Sequence, residues 1–154
     1  MSNKDRGSFS LRYNQTMNII EEVQKLDLPL GTYVVFGSGI LGALGIREAH
    51  DIDLLVTRDV FQELRRRGWE YSESVIEGRV RGRLSQGLAE AFEEFWYGGE
   101  DKNIMEIIAR ATIIEGIPFM SLSELRAFKS VLGREVDRAD IARIDAYIGQ
   151  SGGV

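Results

Sequence analysis

The stretch of sequence that most restricts the fold runs from position 28 to 46 and contains no charged residue over 19 positions. That is the length of a membrane-spanning helix. Pro29 and glycines at 31, 37, 39, 42 and 45 interrupt it, however, and such residues end helices and mark turns. Between the glycines, the run from Tyr33 to Phe36 is typical of a strand buried on both faces. We therefore predict a strand over 30–37, a turn at Gly37 to Gly39 and a short buried helix over 40–45, with no membrane span.

Length and composition restrict the class of protein further. With 154 residues, 44% of them hydrophobic, the chain is predicted to form one domain over 1–154, with flexible ends at 1–8 and 149–154. The absence of cysteine and the single histidine exclude a disulfide scaffold, a thiolate zinc site, a cysteine nucleophile and a histidine-rich metal cluster. A net charge of −5 argues against bulk electrostatic binding of nucleic acid but allows a local basic patch. With no leader segment, the expected compartment is the cytoplasm.

The rest of the chain alternates between helical and strand patterns. Helices are predicted over 9–26, 59–67, 101–111, 121–132 and 136–148, and strands over 51–56, 69–76, 79–84 and 89–97. The segment 89–97 also fits a helix by its spacing, and the helix over 101–111 has Asp101 as its expected cap. The predicted fold class is α/β or α+β, with a mixed sheet of four to five strands flanked by helices and a helical C-terminus.

Two aspartates at the start of the strand over 51–56 indicate a possible metal site. Residues two apart on a strand share a face, so Asp51 and Asp53 present two carboxylates together. Such a pair is unfavourable without a cation, and oxygen ligands suit Mg²⁺, which completes its shell with water and substrate phosphates. The glycine turn of Gly37, Ser38 and Gly39 lets the backbone approach phosphate oxygens closely. Metal and phosphate would then share one pocket.

These motifs resemble those of the polymerase-beta-type nucleotidyltransferase superfamily. An apolar residue and Gly-Ser are followed, after twelve residues, by Asp-apolar-Asp-apolar, here Phe36-Gly37-Ser38 and Asp51-Ile52-Asp53-Leu54. The C-terminal part resembles small members of the superfamily in Ile117-Pro118-Phe119, Lys129, Gly133-Arg134 and Asp137-Arg138-Ala139-Asp140. The resemblance extends from position 34 to 144 and implies a nucleotidyltransferase-like fold.

The resemblance also implies an activity. Asp51 and Asp53 would hold two Mg²⁺ ions that bridge a nucleoside triphosphate such as ATP, and a third acid would complete the metal site. Glu94 is the predicted third acid because a strand over 89–97 gives it the alternation of the family's third motif; Glu93 and Glu106 are the alternatives. The reaction would be attack of an acceptor hydroxyl on the α-phosphate, with pyrophosphate leaving.

Other residues receive roles from the same resemblance. Gly37, Ser38 and Gly39 would cradle the phosphates, Lys129 would contact the triphosphate, and Arg47 is a further nucleotide-binding candidate. The acceptor could be RNA, a protein or a small molecule, and a homodimer or a partner protein could complete the pocket. The alternative function is a catalytically inactive module of the same fold that binds nucleotide or protein, for example as half of a toxin–antitoxin pair.

Several features have an ordinary structural interpretation beside the functional one. The face formed by Arg79, Arg81 and Arg83 suits an anionic acceptor, and equally suits an edge strand protected against pairing with other chains. Asp137 and Asp140 share a helix face, where packing or capping is at least as good an explanation as catalysis.

Overall fold

A computed structural model describes residues 17–150 of the chain. The helices are α1 (Ile19–Gln24), α2 (Gly39–Ala43), α3 (Arg58–Arg66), α4 (Ile104–Ala109), α5 (Leu122–Leu132) and α6 (Glu135–Gln150). The strands are β1 (Tyr33–Phe36), β2 (Ile52–Val56), β3 (Glu70–Ile76), β4 (Arg79–Gln86), β5 (Ala89–Phe92), β6 (Trp96–Tyr97), β7 (Glu100–Asp101), β8 (Thr112–Ile114) and β9 (Ile117–Phe119).

Seven of the strands form one mixed sheet in the order β3-β4-β5-β2-β1-β9-β8, while β6 and β7 form a separate hairpin. β1 and β2 lie at the centre, and Val34, Leu54 and Leu55 are fully buried there. β1 runs antiparallel to β2, with Phe36 opposite Asp53. β2 runs parallel to β5, with Asp53 opposite Glu90. The end of β1 and two acidic residues on neighbouring strands therefore lie at one level of the sheet.

The mixed α+β architecture confirms the predicted fold class, but the sheet has seven strands, not four or five. The missed strands are β8 and β9, which form a hairpin through Glu115 and Gly116, both at positive φ. Three-residue strands carry too little periodicity to be recognised, and Pro118 inside the second argues against a strand. The predicted segment over 40–45 is confirmed as the short helix α2, and the helices over 59–67, 121–132 and 136–148 as α3, α5 and α6.

The segment 89–97 is not a helix, and it is not one strand either. β5 ends at Phe92, residues 93–95 have no regular structure, and β6 begins at Trp96. Phe92, Phe95 and Trp96 are all buried. Because residues 93–95 are irregular, neither the two-residue period of a strand nor the 3.6-residue period of a helix continues through the segment. The predicted cap at Asp101 is also wrong: Asp101 belongs to β7, and the Asn103 side chain accepts the Glu106 backbone N–H at 3.2 Å to begin α4.

The arginines at 79, 81 and 83 belong to β4, which pairs with β3 over residues 79–85 and with β5 only over residues 84–86. Among residues 17–150, the part of β4 that carries them has no strand on its second side, so edge protection and anion binding both stay predictions. The helix predicted over 9–26 is described from position 17, and α1 covers Ile19–Gln24. The predicted flexible ends lie outside the described residues, except that 149 and 150 continue α6. Among the six helices of residues 17–150, none combines the length and apolarity needed to cross a membrane.

Candidate functional site

A cavity of about 280 Å³ lies where β1 ends, and it brings together residues from five parts of the chain. Gly37 and Ser38 form one wall, and Lys129 of α5 and Arg134 lie beside them. Asp53 of β2, Glu90 of β5 and Arg81 of β4 line the rest. The predicted glycine turn, one of the two predicted aspartates and the predicted lysine are therefore at a single site.

Gly37 approaches Asp53 closely because it has no side chain. Its φ is +68°, and a Cβ atom placed there would lie 3.2 Å from Oδ2 of Asp53. Glycine suits the position because of its backbone conformation, and a side chain there would also make the Asp53 carboxylate shift by a few tenths of an ångström. Gly39 differs: it is buried, and a Cβ would lie 2.5 Å from Cγ1 of Val35. Gly39 lets α2 pack on β1 and does not line the cavity.

The carboxyl group of Asp53 is poorly compensated. Burial raises its pKa to about 7, and the neighbouring charges of Asp51 and Glu90 add to the increase, while Arg81 opposes it. Asp51 is exposed just before β2 begins. No basic side chain within residues 17–150 forms an ion pair with Asp53. A buried acid beside two further acids favours the arrival of a cation.

The structure places Glu90, and not Glu94, beside the aspartates. Glu94 follows the end of β5, has 55% of its side chain exposed and lies 4.0 Å from Arg79. Together with Glu93 it lines a different cavity, of about 490 Å³, at the far end of β2. Glu106 is exposed on α4 and lines neither cavity. The sequence signal for Glu90 is the apolar-acid-apolar alternation of residues 89–91, which is the same pattern as in Asp51 to Leu54.

Asp51, Asp53 and Glu90 supply only carboxylate oxygens, the ligand type that Mg²⁺ prefers. Neither Asp51 nor Asp53 forms an ion pair within residues 17–150, although the charges of Arg47 and Arg81 act on them from a distance. Glu90 forms an ion pair with Arg83 through one carboxylate oxygen at 3.3 Å, which leaves its other oxygen for a metal. Within residues 17–150, no three acidic or histidine side chains are arranged as a ready metal site. The donor chemistry thus fits Mg²⁺, while the third ligand requires a side-chain rotation.

Arg47 joins the glycine turn to the C-terminal helix. Its Nε and Nη2 donate to the Asp140 carboxylate at 2.7 and 2.8 Å, and Nη2 also donates to Ser38 Oγ at 2.8 Å. Its bidentate bond to Asp140 raises the pKa of Arg47. Arg47, predicted to bind nucleotide, therefore uses its hydrogen bonds to connect Ser38 with Asp140.

Lys129 and two aspartates form the buried support of the cavity. Lys129 is 4% exposed, and its Nζ lies 2.9 Å from Asp140 and 3.4 Å from Asp137. Burial works against ionisation of Asp140, but hydrogen bonds from Arg47 and Lys129 outweigh it and hold its pKa well below the ordinary value. Burial also acts to raise the pKa of Asp137, but hydrogen bonds from Arg134 and the nearby positive charges together have the larger effect, so its pKa is lowered as well. The Asp-x-x-Asp pair has a structural role, and sequence spacing alone did not decide this.

Four basic residues contact these two aspartates, namely Arg47, Lys129, Arg134 and Arg143, so the cluster carries a surplus of positive charge. Lys129 and Arg134 line the cavity beside the glycine turn, where this surplus favours an anion. Comparison of the chain with protein-family models, curated proteins and solved structures gives no match in any of the three.

Proposed function

We propose that the protein transfers a nucleoside monophosphate from a nucleoside triphosphate to a hydroxyl group, in a reaction that depends on Mg²⁺. The observation that carries the proposal is the position of Asp53. Its uncompensated carboxylate lies between a glycine turn on one side and Glu90 on the other, with Lys129 in the same cavity. A substrate made of a metal ion and a polyphosphate needs acidic residues for the metal next to basic residues for the phosphates, and this cavity contains both.

The two sides of the cavity have different roles, one toward the phosphates and one toward the metal ion. Gly37 and Ser38 give the phosphates close access to the backbone, while Lys129 and Arg134 lower the negative charge of the triphosphate. Asp51 and Asp53, with Glu90 after rotation, would hold Mg²⁺, which stabilises charge on the attacking and leaving oxygens. The acceptor oxygen forms a bond to the α-phosphorus as the bond to pyrophosphate breaks. Pyrophosphate keeps the bonding electrons, and the hydroxyl proton passes to water.

Thermal unfolding with each nucleoside triphosphate, with and without Mg²⁺, tests this proposal. At a concentration one hundred times the dissociation constant, binding adds about 2.7 kcal/mol, which corresponds to roughly 5–10 °C for a chain of this size. We expect this shift only with Mg²⁺, and we expect Asp53→Asn to abolish it. The absence of a shift with every triphosphate, or its persistence in Asp53→Asn, would contradict the proposal.

Matched variants determine which acid completes the site. Glu90→Gln should abolish the Mg²⁺-dependent shift, whereas Glu94→Gln, on the neighbouring cavity, should leave it unchanged. Release of pyrophosphate then separates the enzyme from the catalytically inactive nucleotide-binding module. The module would be stabilised by the triphosphate without releasing pyrophosphate, even when candidate hydroxyl acceptors are added.

A further inference from the structure

Arg81 is a guanidinium that the fold holds in the cavity without using its hydrogen bonds. Its Nε atom is buried and has no hydrogen-bond partner, and no ion pair joins Arg81 to another residue of 17–150. Guanidinium groups carry five N–H donors, and buried donors normally have partners. A cation in this state beside a candidate active site has capacity for a ligand.

The position of Arg81 is fixed by aromatic rings. Its Cζ lies 3.8 Å from the centre of the Phe92 ring and 5.9 Å from that of Trp96. Trp96 is itself anchored, since its indole N–H donates to the Ile76 carbonyl at 3.1 Å. Stacking of this kind restricts the guanidinium without occupying the N–H groups at its edge.

The two neighbouring arginines on β4 show that Arg81 is different. Arg79 stacks on Trp96 at the same 3.8 Å, but it also forms an ion pair with Asp101 at 2.7 Å. Arg83 lies 3.3 Å from Glu90 and donates to Ser72. Of the three side chains on this face, only Arg81 forms neither an ion pair nor a side-chain hydrogen bond within residues 17–150, although the charges of Asp53, Glu90 and Glu94 act on it from a distance.

The strand order indicates which part of a substrate Arg81 would meet. Across the sheet from β4 to β1, the cavity residues are Arg81, Glu90, Asp53 and then Gly37. If the triphosphate occupies the Gly37 side, its pyrophosphate leaves toward β1. In-line displacement brings the acceptor in from the opposite direction, which is the side of β4. Arg81 therefore lies on the acceptor side of the acidic centre.

We infer that Arg81 binds a phosphate group of the acceptor, so that the hydroxyl that receives the nucleotidyl group belongs to a phosphate ester. The planar fork of a guanidinium matches two phosphate oxygens. A small phosphorylated alcohol and the 3′ end of a nucleic acid both present a hydroxyl near a phosphate. The inference rests on the proposed function, because the acceptor side is defined by where the triphosphate binds.

The test uses the Nε–Hε resonance of Arg81 in the ¹H–¹⁵N spectrum of the whole chain, assigned by its loss in Arg81→Met. The triphosphate side is first saturated with Mg²⁺ and α,β-methylene ATP, which cannot be cleaved at the α-phosphate. Glycerol 3-phosphate is then added, with glycerol as the control. We expect a saturable shift of the Arg81 signal with glycerol 3-phosphate and none with glycerol.

Matched variants measure the contribution of the side chain. Arg81→Met should weaken binding of glycerol 3-phosphate by about tenfold or more, because charge-assisted hydrogen bonds to phosphate are lost. Arg79→Met removes a stacked arginine from the same face and should change this affinity by less than about twofold. A wild-type Arg81 signal that moves neither with glycerol 3-phosphate nor with the trinucleotide UpUpU, or equal losses in both variants, would overturn the inference. Through-bond correlation from the Arg81 backbone gives the same assignment, so the wild-type titration does not depend on the folding of a variant.

Two further arms identify the phosphate source and separate the two proposals. If the trinucleotide UpUpU moves the Arg81 signal and glycerol 3-phosphate does not, the phosphate belongs to a nucleic acid. If neither moves it, the inference fails. Failure of α,β-methylene ATP to stabilise the wild-type protein contradicts the proposed function alone. In that case the same titration with Mg²⁺ but no nucleotide still tests Arg81, and a shift there supports the phosphate site independently.

Discussion

Two pairs of aspartates in this protein have opposite electrostatic surroundings. Asp137 and Asp140 on α6 are fully buried, yet basic side chains contact both, and their pKa values are lowered. Asp53 keeps part of its surface accessible beside exposed Asp51, yet no residue of 17–150 forms an ion pair with it, and its pKa is raised to about 7. Burial alone therefore does not decide the state of a carboxyl group; the number of donors supplied by the fold does. The first pair stabilises the folded chain. In the second pair, the Asp53 carboxylate has no basic partner among residues 17–150.

Removing a carboxylate from the compensated pair should have the largest effect on stability. Asp140→Ala leaves Arg47 and Lys129 without their shared partner, and breaking a buried pair in this way costs about 3–5 kcal/mol. Urea denaturation at pH 7 measures this loss. Asp145→Ala on the same helix is the control, because its pair with Arg126 is half exposed and should contribute at most about 1 kcal/mol. Equal losses in the two variants would show that the buried cluster has no special role.

Removing the charge of Asp53 should have the opposite effect on stability and raise the free energy of unfolding. Between pH 4 and 7, folded Asp53 keeps a proton that the unfolded chain has released, so the free energy of unfolding falls as pH rises through this range. The difference between the two pKa values corresponds to roughly 4 kcal/mol, and water around the partly exposed Asp53 reduces it. Asp53→Asn should therefore stabilise the metal-free protein by about 2 kcal/mol at pH 8 and hardly at all at pH 4. Urea denaturation in EDTA at both pH values measures the difference. A destabilised Asp53→Asn protein at pH 8 would mean that the carboxylate has a partner in solution.

The smallest effect concerns the approach of Gly37 to Asp53. Gly37→Ala and Gly45→Ala both place a side chain at positive φ and should each cost about 1 kcal/mol. Only the methyl group at position 37 meets the Asp53 carboxylate, since the space around Gly45 is open. We expect both variants to lose similar stability in urea, and only Gly37→Ala to lose the Mg²⁺-dependent shift with nucleotide. If Gly45→Ala loses that shift as well, the effect is one of general backbone strain.

The centre of the fold could be predicted from the sequence because it depends on short-range patterns. β1, α2 and β2 follow from glycine positions and apolar runs, and the strand pattern correctly places Asp53 on β2, whereas Asp51 lies just before the strand begins and acts on Asp53 through its charge. Resemblance to a known family added Lys129, which the structure places in the same cavity. The catalytic roles of these residues stay predictions.

The remaining parts of the site depend on pairing between distant segments. Glu90 lies beside Asp53 only because β5 pairs with β2 in one register, and nothing local to residues 89–97 fixes that register. The end of β5 at Phe92 also moves Glu94 into irregular chain, away from the aspartates. Likewise, the use of Arg47 by Asp140 follows from how α6 packs, which the sequence near Arg47 does not indicate.

The contact between Arg47 and Asp140 spans 93 positions, and it has a consequence for synthesis. A ribosome delivers the glycine turn, both acidic strands and β4 well before it delivers α6. Until Asp140 leaves the exit tunnel, Arg47 lacks the carboxylate that fixes its position beside Ser38. Domains commonly fold as units once their distant contacts become available. Nascent chains halted before α6 would therefore carry Asp53 and Glu90 beside a glycine turn that Arg47 and Asp140 do not yet hold in place.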